Sequence, residues 1–147
     1  MRDYNSDPAN ILLIEDNPAE ALLTEEAFKQ SNLSNKLHIV EDGEQALDFL
    51  NKRNSFESAV TPDLILLDLN LPKVDGREVL AHLKLHDHLS RIPVIVLTSS
   101  ALEKDVMSCY DNGANSYIVK PMELDKFIKI VESIAAYWFS MSVLPES

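Results

Sequence analysis

The sequence predicts an α/β fold: one five-stranded parallel sheet with helices on both faces. Three observations lead there. Five short apolar runs recur along the 147 residues. Three of them (ILLI, LILL, VIVL) are continuous rather than alternating, as strands covered on both faces are. Between the runs lie stretches with helix-start signals, so the elements read βαβαβαβαβα.

The first run is Ile11–Ile14. Asn17-Pro18-Ala19-Glu20 follows it, with an N-cap, a proline at the first helical position and an acid at the third. The second run is Leu37–Val40, followed by Asp42-Gly43-Glu44-Gln45, a cap three residues ahead of Gln. The third, Leu64–Leu67, leads to Asp75-Gly76-Arg77-Glu78 with the same spacing. The fourth, Val94–Leu97, leads to Ser100-Ala101-Leu102-Glu103, again cap-x-x-Glu. Gly113 stands where a helix C-terminus needs left-handed geometry. The fifth run is Tyr117–Val119, and the last helix spans about Glu123 to about Phe139. Parallel strands with right-handed crossovers and five helices give the flavodoxin-like doubly wound order 2-1-3-4-5. Asn51–Pro62 and His86–Pro93 read as long loops. Residues 9–140 form the expected domain, with 1–8 and 141–147 as less ordered tails.

Composition narrows the function. Thirteen basic against 24 acidic residues give a net charge of −11. Such a surface disfavours nucleic acid and anionic membranes. No apolar run approaches the ~20 residues of a membrane helix, and the start of the chain does not read as a signal peptide. The single cysteine, Cys109, excludes an intramolecular disulfide. A chain of this kind fits a reducing cytoplasm. Cys109 reads as a small apolar filler.

The chemistry gathers at the strand ends. Glu15 and Asp16 follow the first strand and Asp68 the third. Thr98 ends the fourth, and Lys120 follows the fifth. In a parallel sheet these ends point one way and meet at the crevice where strand order reverses. Three carboxylates against one lysine raise one another's pKa or demand a cation. All-oxygen ligands in small number select Mg²⁺, which keeps open positions for phosphate oxygens. An Asp beside Mg²⁺ can attack a phosphoryl group and form an aspartyl phosphate. Mg²⁺, Lys120 and a Thr98 hydroxyl can then take the three equatorial oxygens.

The runs ILLIEDNPAEALL, DLILLDLNLPKVDGREVL, IPVIVLTSS and NGANSYIVKP resemble response-regulator receiver domains of two-component signalling, over roughly Asn10 to Phe139. The resemblance implies Asp68 as phosphoacceptor. It implies direct Mg²⁺ ligation by Asp16, ligation through water by Glu15, and a backbone carbonyl ligand from Asn70. Thr98 and Lys120 would hold the phosphoryl group, and Lys120-Pro121 would be a cis peptide. Tyr117 falls at the aromatic switch position, turning inward as Thr98 is drawn to the phosphoryl group. Asn70 and Ser100 fall where the family tunes phosphate lifetime. The acidic pair is Glu-Asp rather than Asp-Asp, which the family tolerates. The long loop after the second helix and the end Tyr137-Trp138-Phe139 look like single-domain response regulators paired with bacterial, especially cyanobacterial, phytochrome histidine kinases.

The expected function is therefore a stand-alone response regulator. It takes a phosphoryl group from a histidine kinase, possesses no enzymatic activity beyond self-directed phosphotransfer and slow dephosphorylation, and acts by switching protein contacts. A phosphate shuttle or sink is an alternative. A phosphatase with an aspartyl nucleophile is another, but it wants a second acid two residues on, where Asn70 stands. A dinucleotide domain would need a Gly-rich turn after the first strand. Of the histidines His38, His82, His86 and His88, the pair His86-x-His88 could bind metal, but in a polar loop with no cysteine nearby a solvated loop is the better reading. On the last helix, Leu124, Phe127, Ile128, Val131, Ala135 and Trp138 make one stripe, widened by Ile130, Ile134 and Tyr137. That arc exceeds the ~100° one sheet face covers. A homodimer through the fourth helix, fifth strand and fifth helix is expected.

Overall fold

The computed structural model describes residues 8–31 and 34–138. Strands β1 (Ala9–Ile14), β2 (Asn35–Val40), β3 (Leu64–Leu67), β4 (Val94–Thr98) and β5 (Ser116–Val119) form a five-stranded sheet in the order β2-β1-β3-β4-β5. Every pairing is parallel. The register aligns the C-terminal ends: Ile14 faces both Val40 and Leu67, Leu67 faces Val96, and Thr98 faces Val119.

Helices α1 (Pro18–Gln30) and α6 (Leu124–Ala136) pack together on one face. Helices α2 (Gly43–Asn51), α3 (Gly76–Leu85) and α5 (Glu103–Asp111) lie on the other, with a short α4 (Asp87–Ser90). The alternation of each strand explains the continuous apolar runs. Ile11, Leu13, Leu64, Leu66, Ile95 and Leu97 join Phe28, Phe127 and Val131 in one core. Leu12, Ile14, Ile65, Leu67, Val94 and Val96 join Phe49, Val79 and Leu80 in the other. Successive side chains point to opposite faces, and both faces are covered.

The caps of the first three helices are realised. Asn17 Oδ1 accepts from Ala19 and Glu20, Asp42 Oδ1 from Gln45, and Asp75 Oδ1 from Arg77. Gly113 takes φ +90°, the left-handed geometry expected after α5.

Five expectations need correction. Ser100 does not cap the next helix; α5 begins after Leu102, with no side-chain cap, and the Ser100 hydroxyl instead donates to Asp105 and accepts from the Leu102 N–H at 3.5 Å. The loop from His86 to Pro93 contains α4, so there are six helices rather than five; its turn closes on the His86 carbonyl, which accepts from Leu89 and Ser90. A 3₁₀ turn, Asn54–Phe56, lies in the other long loop. No peptide bond among the described residues is cis, so Lys120-Pro121 is trans, the form that X–Pro bonds prefer, and Lys120 enters the site from that backbone. Ile134, placed on the flank of the last helix, is buried in the core against the sheet, whereas Leu124, placed in the core stripe, opens the helix and is half exposed. Phe139 and the terminal tails lie outside the described residues.

Candidate phosphoryl-transfer site

The C-terminal ends of β1, β3, β4 and β5 deliver the site. Backbone bonds lock each residue in place: Glu15 N–H to the Val40 carbonyl, Asp68 N–H to Ile14, and Lys120 N–H to Thr98 at 2.8 Å. A ligating oxygen from each of Glu15, Asp16 and Asp68 lies within 4.8 Å of the other two. Glu15 and Asp68 are buried, while Asp16 is exposed.

Lys120 is the counter-charge. Its ammonium donates to Glu15 Oε1, to Glu20 Oε2 at 2.9 Å and to Asp68 Oδ2 at 3.1 Å. Burial works against that charge, but the bonds to Glu15 and Glu20 outweigh it and hold the ammonium above the usual lysine range. Burial also pushes the Glu15 carboxyl up to about 7, against the pull of Lys120. One lysine thus serves several acids, and the carboxylates remain under-compensated.

Asp68 uses its other oxygen differently. Oδ1 accepts the Thr98 hydroxyl at 2.9 Å and the Asn70 backbone N–H at 3.2 Å. Thr98 is fully buried, so its hydroxyl has no competing water. Close packing fixes the loop that carries Asp68. The Gly76 N–H bonds to the Leu69 carbonyl, and a Cβ at Gly76 would lie 2.3 Å from the Asp68 carbonyl oxygen.

Of the residues singled out from sequence, Glu15, Asp16, Asp68, Thr98 and Lys120 come together, and Asn70 touches them through its backbone. Tyr117 stands apart. It is half-buried, packs beside the α2–α3–α5 core, and donates its hydroxyl to the Ser100 carbonyl at 2.8 Å. Burial raises its phenol. Ile130, Ile134 and Tyr137 lie elsewhere, along a groove of about 340 Å³ between β5 and α6. His86 and His88 belong to no carboxylate or thiol cluster among the described residues; His86 instead stacks on His82 at 4.1 Å.

Two groups escaped the sequence reading. Glu20 was legible only as a helix-start acid, yet it shares Lys120. Asp105 and Arg77 carry no local sign in the sequence of a shared role, yet Asp105 is buried and ion-paired to Arg77 at 2.9 Å.

A cluster of three hard oxygen donors beside a lysine suits a small divalent cation and a phosphoryl group. The donor set therefore fits the metal that the chain's chemistry implies.

The sequence profile of the response regulator receiver domain matches residues 11–132. Response regulator Rcp1 of Synechocystis is 43% identical over 145 residues, covering 99% of each chain. The crystal structure of its Mn²⁺-bound form superimposes with a TM-score of 0.91, covering 95% of this chain and 100% of that one. The phosphorylated cyanobacterial phytochrome response regulator RcpA gives 0.92 at 43% identity, covering 95% and 99%. The receiver domain of the Pseudomonas aeruginosa sensor kinase PA1611, with magnesium in its active-site cleft, gives 0.67 at 28% identity, covering 90% and 98%. Fold, strand-end chemistry and these likenesses agree: the chain belongs to the response regulator receiver domain family of two-component signalling.

Proposed function

We propose that Asp68 accepts a phosphoryl group from a histidine kinase in a Mg²⁺-dependent reaction and that the chain works as a switch of protein contacts. The observation that carries this is the convergence on Asp68 of a lysine, a buried hydroxyl and a carboxylate cluster of metal-ligating geometry. An Asp68 carboxylate oxygen attacks phosphorus, the P–N bond to the kinase histidine breaks, and the imidazole leaves. Lys120 and Thr98 hold the oxygens on which charge develops. Glu15, Asp16, Asp68 and the Asn70 carbonyl are the residues that would hold Mg²⁺, which supplies charge neutralisation when bound. Rcp1 and PA1611 carry divalent metal in their structures, which supports this assignment. Tyr117 is the switch residue, and slow self-hydrolysis resets the site. Acetyl phosphate labelling tests the reading: Mg²⁺ supports it, EDTA stops it, and labelling that persists without divalent metal contradicts it.

The phytochrome likeness of RcpA favours a phytochrome kinase as donor. Phosphotransfer from a panel of histidine kinases checks this, and transfer from every kinase except phytochromes would contradict it. The acidic surface speaks against nucleic acid, and no helix among the described residues is long and apolar enough to cross a membrane. A cytoplasmic location and a receiver unit spanning residues 9–140 complete the proposal.

A homodimer forms through α5, β5 and α6, the fourth and fifth long helices with the edge strand. Met107, Tyr110, Val119 and Leu124 leave large apolar surface exposed on these elements, with Met122 in the β5–α6 loop and Tyr137 just past α6 beside them. Sedimentation at tens of micromolar is expected to show a dimer; a monomer with and without phosphorylation would contradict it.

A further inference from the structure

A polar network outside the phosphoryl site ties the loop of Asp68 to Tyr117. Asp105, in the first turn of α5, is only 5% exposed. Its Oδ1 accepts Arg77 Nε at 3.0 Å, and its Oδ2 accepts the Ser100 hydroxyl at 2.7 Å. Arg77 Nη1 reaches Asp75, the cap of α3, at 3.0 Å. The guanidinium therefore spends its planar fork on two carboxylates from separate elements, a geometry that lysine does not reproduce. The Ser100 hydroxyl and Arg77 hold the Asp105 carboxyl below the usual carboxylate range.

The placement of this network gives it a role. Arg77 opens α3 next to Gly76, whose close contact with the Asp68 carbonyl fixes that helix to the phosphoacceptor loop. Ser100 lies two residues beyond Thr98 in the β4–α5 loop. Its carbonyl is the acceptor of the Tyr117 hydroxyl. A continuous path of contacts thus runs from the Asp68 loop through Arg77, Asp105 and Ser100 to Tyr117. Ion pairs of this kind are weak sources of stability; what they supply is one arrangement among several.

We propose that Arg77 and Asp105 are positioning residues, which hold the β4–α5 loop where Thr98 faces Asp68 and Tyr117 lies inward. The proposal rests on the reading of Asp68 as phosphoacceptor and Tyr117 as switch. Neither residue touches the phosphoryl group. They fix the Ser100 backbone, so less ordering is needed when the phosphoryl group arrives. Pre-organisation of this kind raises apparent affinity without a new contact.

The test measures beryllofluoride affinity in Mg²⁺, thermal melting, and the ¹⁹F signal of Tyr117 in fluorotyrosine-labelled protein, assigned with Tyr117→Phe. Arg77→Gln and Asp105→Asn each weaken beryllofluoride binding about threefold to tenfold, the net size of one ordinary hydrogen bond. The double variant is no weaker than either single one. The Tyr117 signal moves toward a solvent-exposed ring, and Arg77→Lys recovers only part of the loss. Folded variants with unchanged affinity, additive losses, or lost affinity with an unmoved ring signal would each overturn the proposal. The ring signal also responds to Arg77→Gln in an Asp68→Asn background. Wild type that captures no beryllofluoride therefore refutes the phosphoacceptor reading, whereas a ring unmoved by Arg77→Gln refutes the role of the pair.

Discussion

Lys120 Nζ lies 3.1 Å from Asp68 Oδ2 across 52 residues of sequence, and both side chains are almost wholly buried. The pair brings the proposed nucleophile and the proposed phosphate-binding cation into direct contact. Because the same ammonium neutralises Glu15, its removal leaves several uncompensated acids. Lys120→Ala is expected to destabilise the metal-free protein by about 3–5 kcal/mol, the cost of breaking a buried ion pair from one side. Urea unfolding measures this, and added Mg²⁺ recovers part of the loss by replacing the missing charge. The same variant labels from acetyl phosphate about 100-fold more slowly.

Glu20 behaves differently although it shares that lysine. Its side chain is 36% exposed, so solvent screens the contact. Glu20→Gln is expected to change stability by less than about 1 kcal/mol and to leave acetyl phosphate labelling within about threefold of wild type.

Gly76 is required by space rather than by backbone angle. A methyl group there would meet the Asp68 carbonyl oxygen at 2.3 Å and Leu69 Cα at 2.7 Å, both on backbone that has little room to yield. Gly76→Ala is expected to cost about 1–3 kcal/mol by overpacking and to slow labelling at Asp68. Equal melting temperature and equal labelling rate would contradict that packing role.

The histidine contribution to stability is expected to fall on mild acidification, against an opposing contribution from Glu15, whose carboxyl is raised by burial to about 7. Burial first, then the neighbouring His86, Arg53 and His88, hold the folded His82 imidazole below its usual range. At this group the unfolded chain binds more protons than the folded one, so its contribution rises with pH and is lost as pH drops below about 6.5. His38 is lowered in the same direction, chiefly by burial. Urea midpoints of wild type and His82→Gln between about pH 7 and about pH 5 check this: the wild type loses more stability on acidification than the variant, and His38 and Glu15 set the slope that remains.

Much of this molecule is legible in its sequence, for physical reasons. Strands buried on both faces must be apolar at every position, so ILLI, LILL and VIVL mark the sheet's centre. Asn17, Asp42 and Asp75 cap helices through bonds to backbone two or three residues away, which local sequence specifies. Parallel topology then brings the strand ends together, so Glu15, Asp16, Asp68, Thr98 and Lys120 follow from order alone. What escapes depends on distant partners. Ser100 carries a capping pattern, but a buried carboxylate on α5 takes its hydroxyl. Glu20 meets a lysine 100 residues away. Arg77 and Asp105 stand 28 residues apart on separate helices, with no local sign that they pair. The burial of Ile134 and exposure of Leu124 depend on how α6 lies over the sheet, which a helical wheel leaves open.

The central claim is that Asp68 itself is phosphorylated. An aspartyl phosphate is reduced by borohydride to homoserine, which marks its position permanently. Protein treated with acetyl phosphate and Mg²⁺, then borohydride, is digested and sequenced by mass spectrometry. Homoserine at position 68, absent when Mg²⁺ is withheld and absent from Asp68→Asn, is the expected result. Homoserine at position 16 or elsewhere, or equal labelling of Asp68→Asn, would contradict the account.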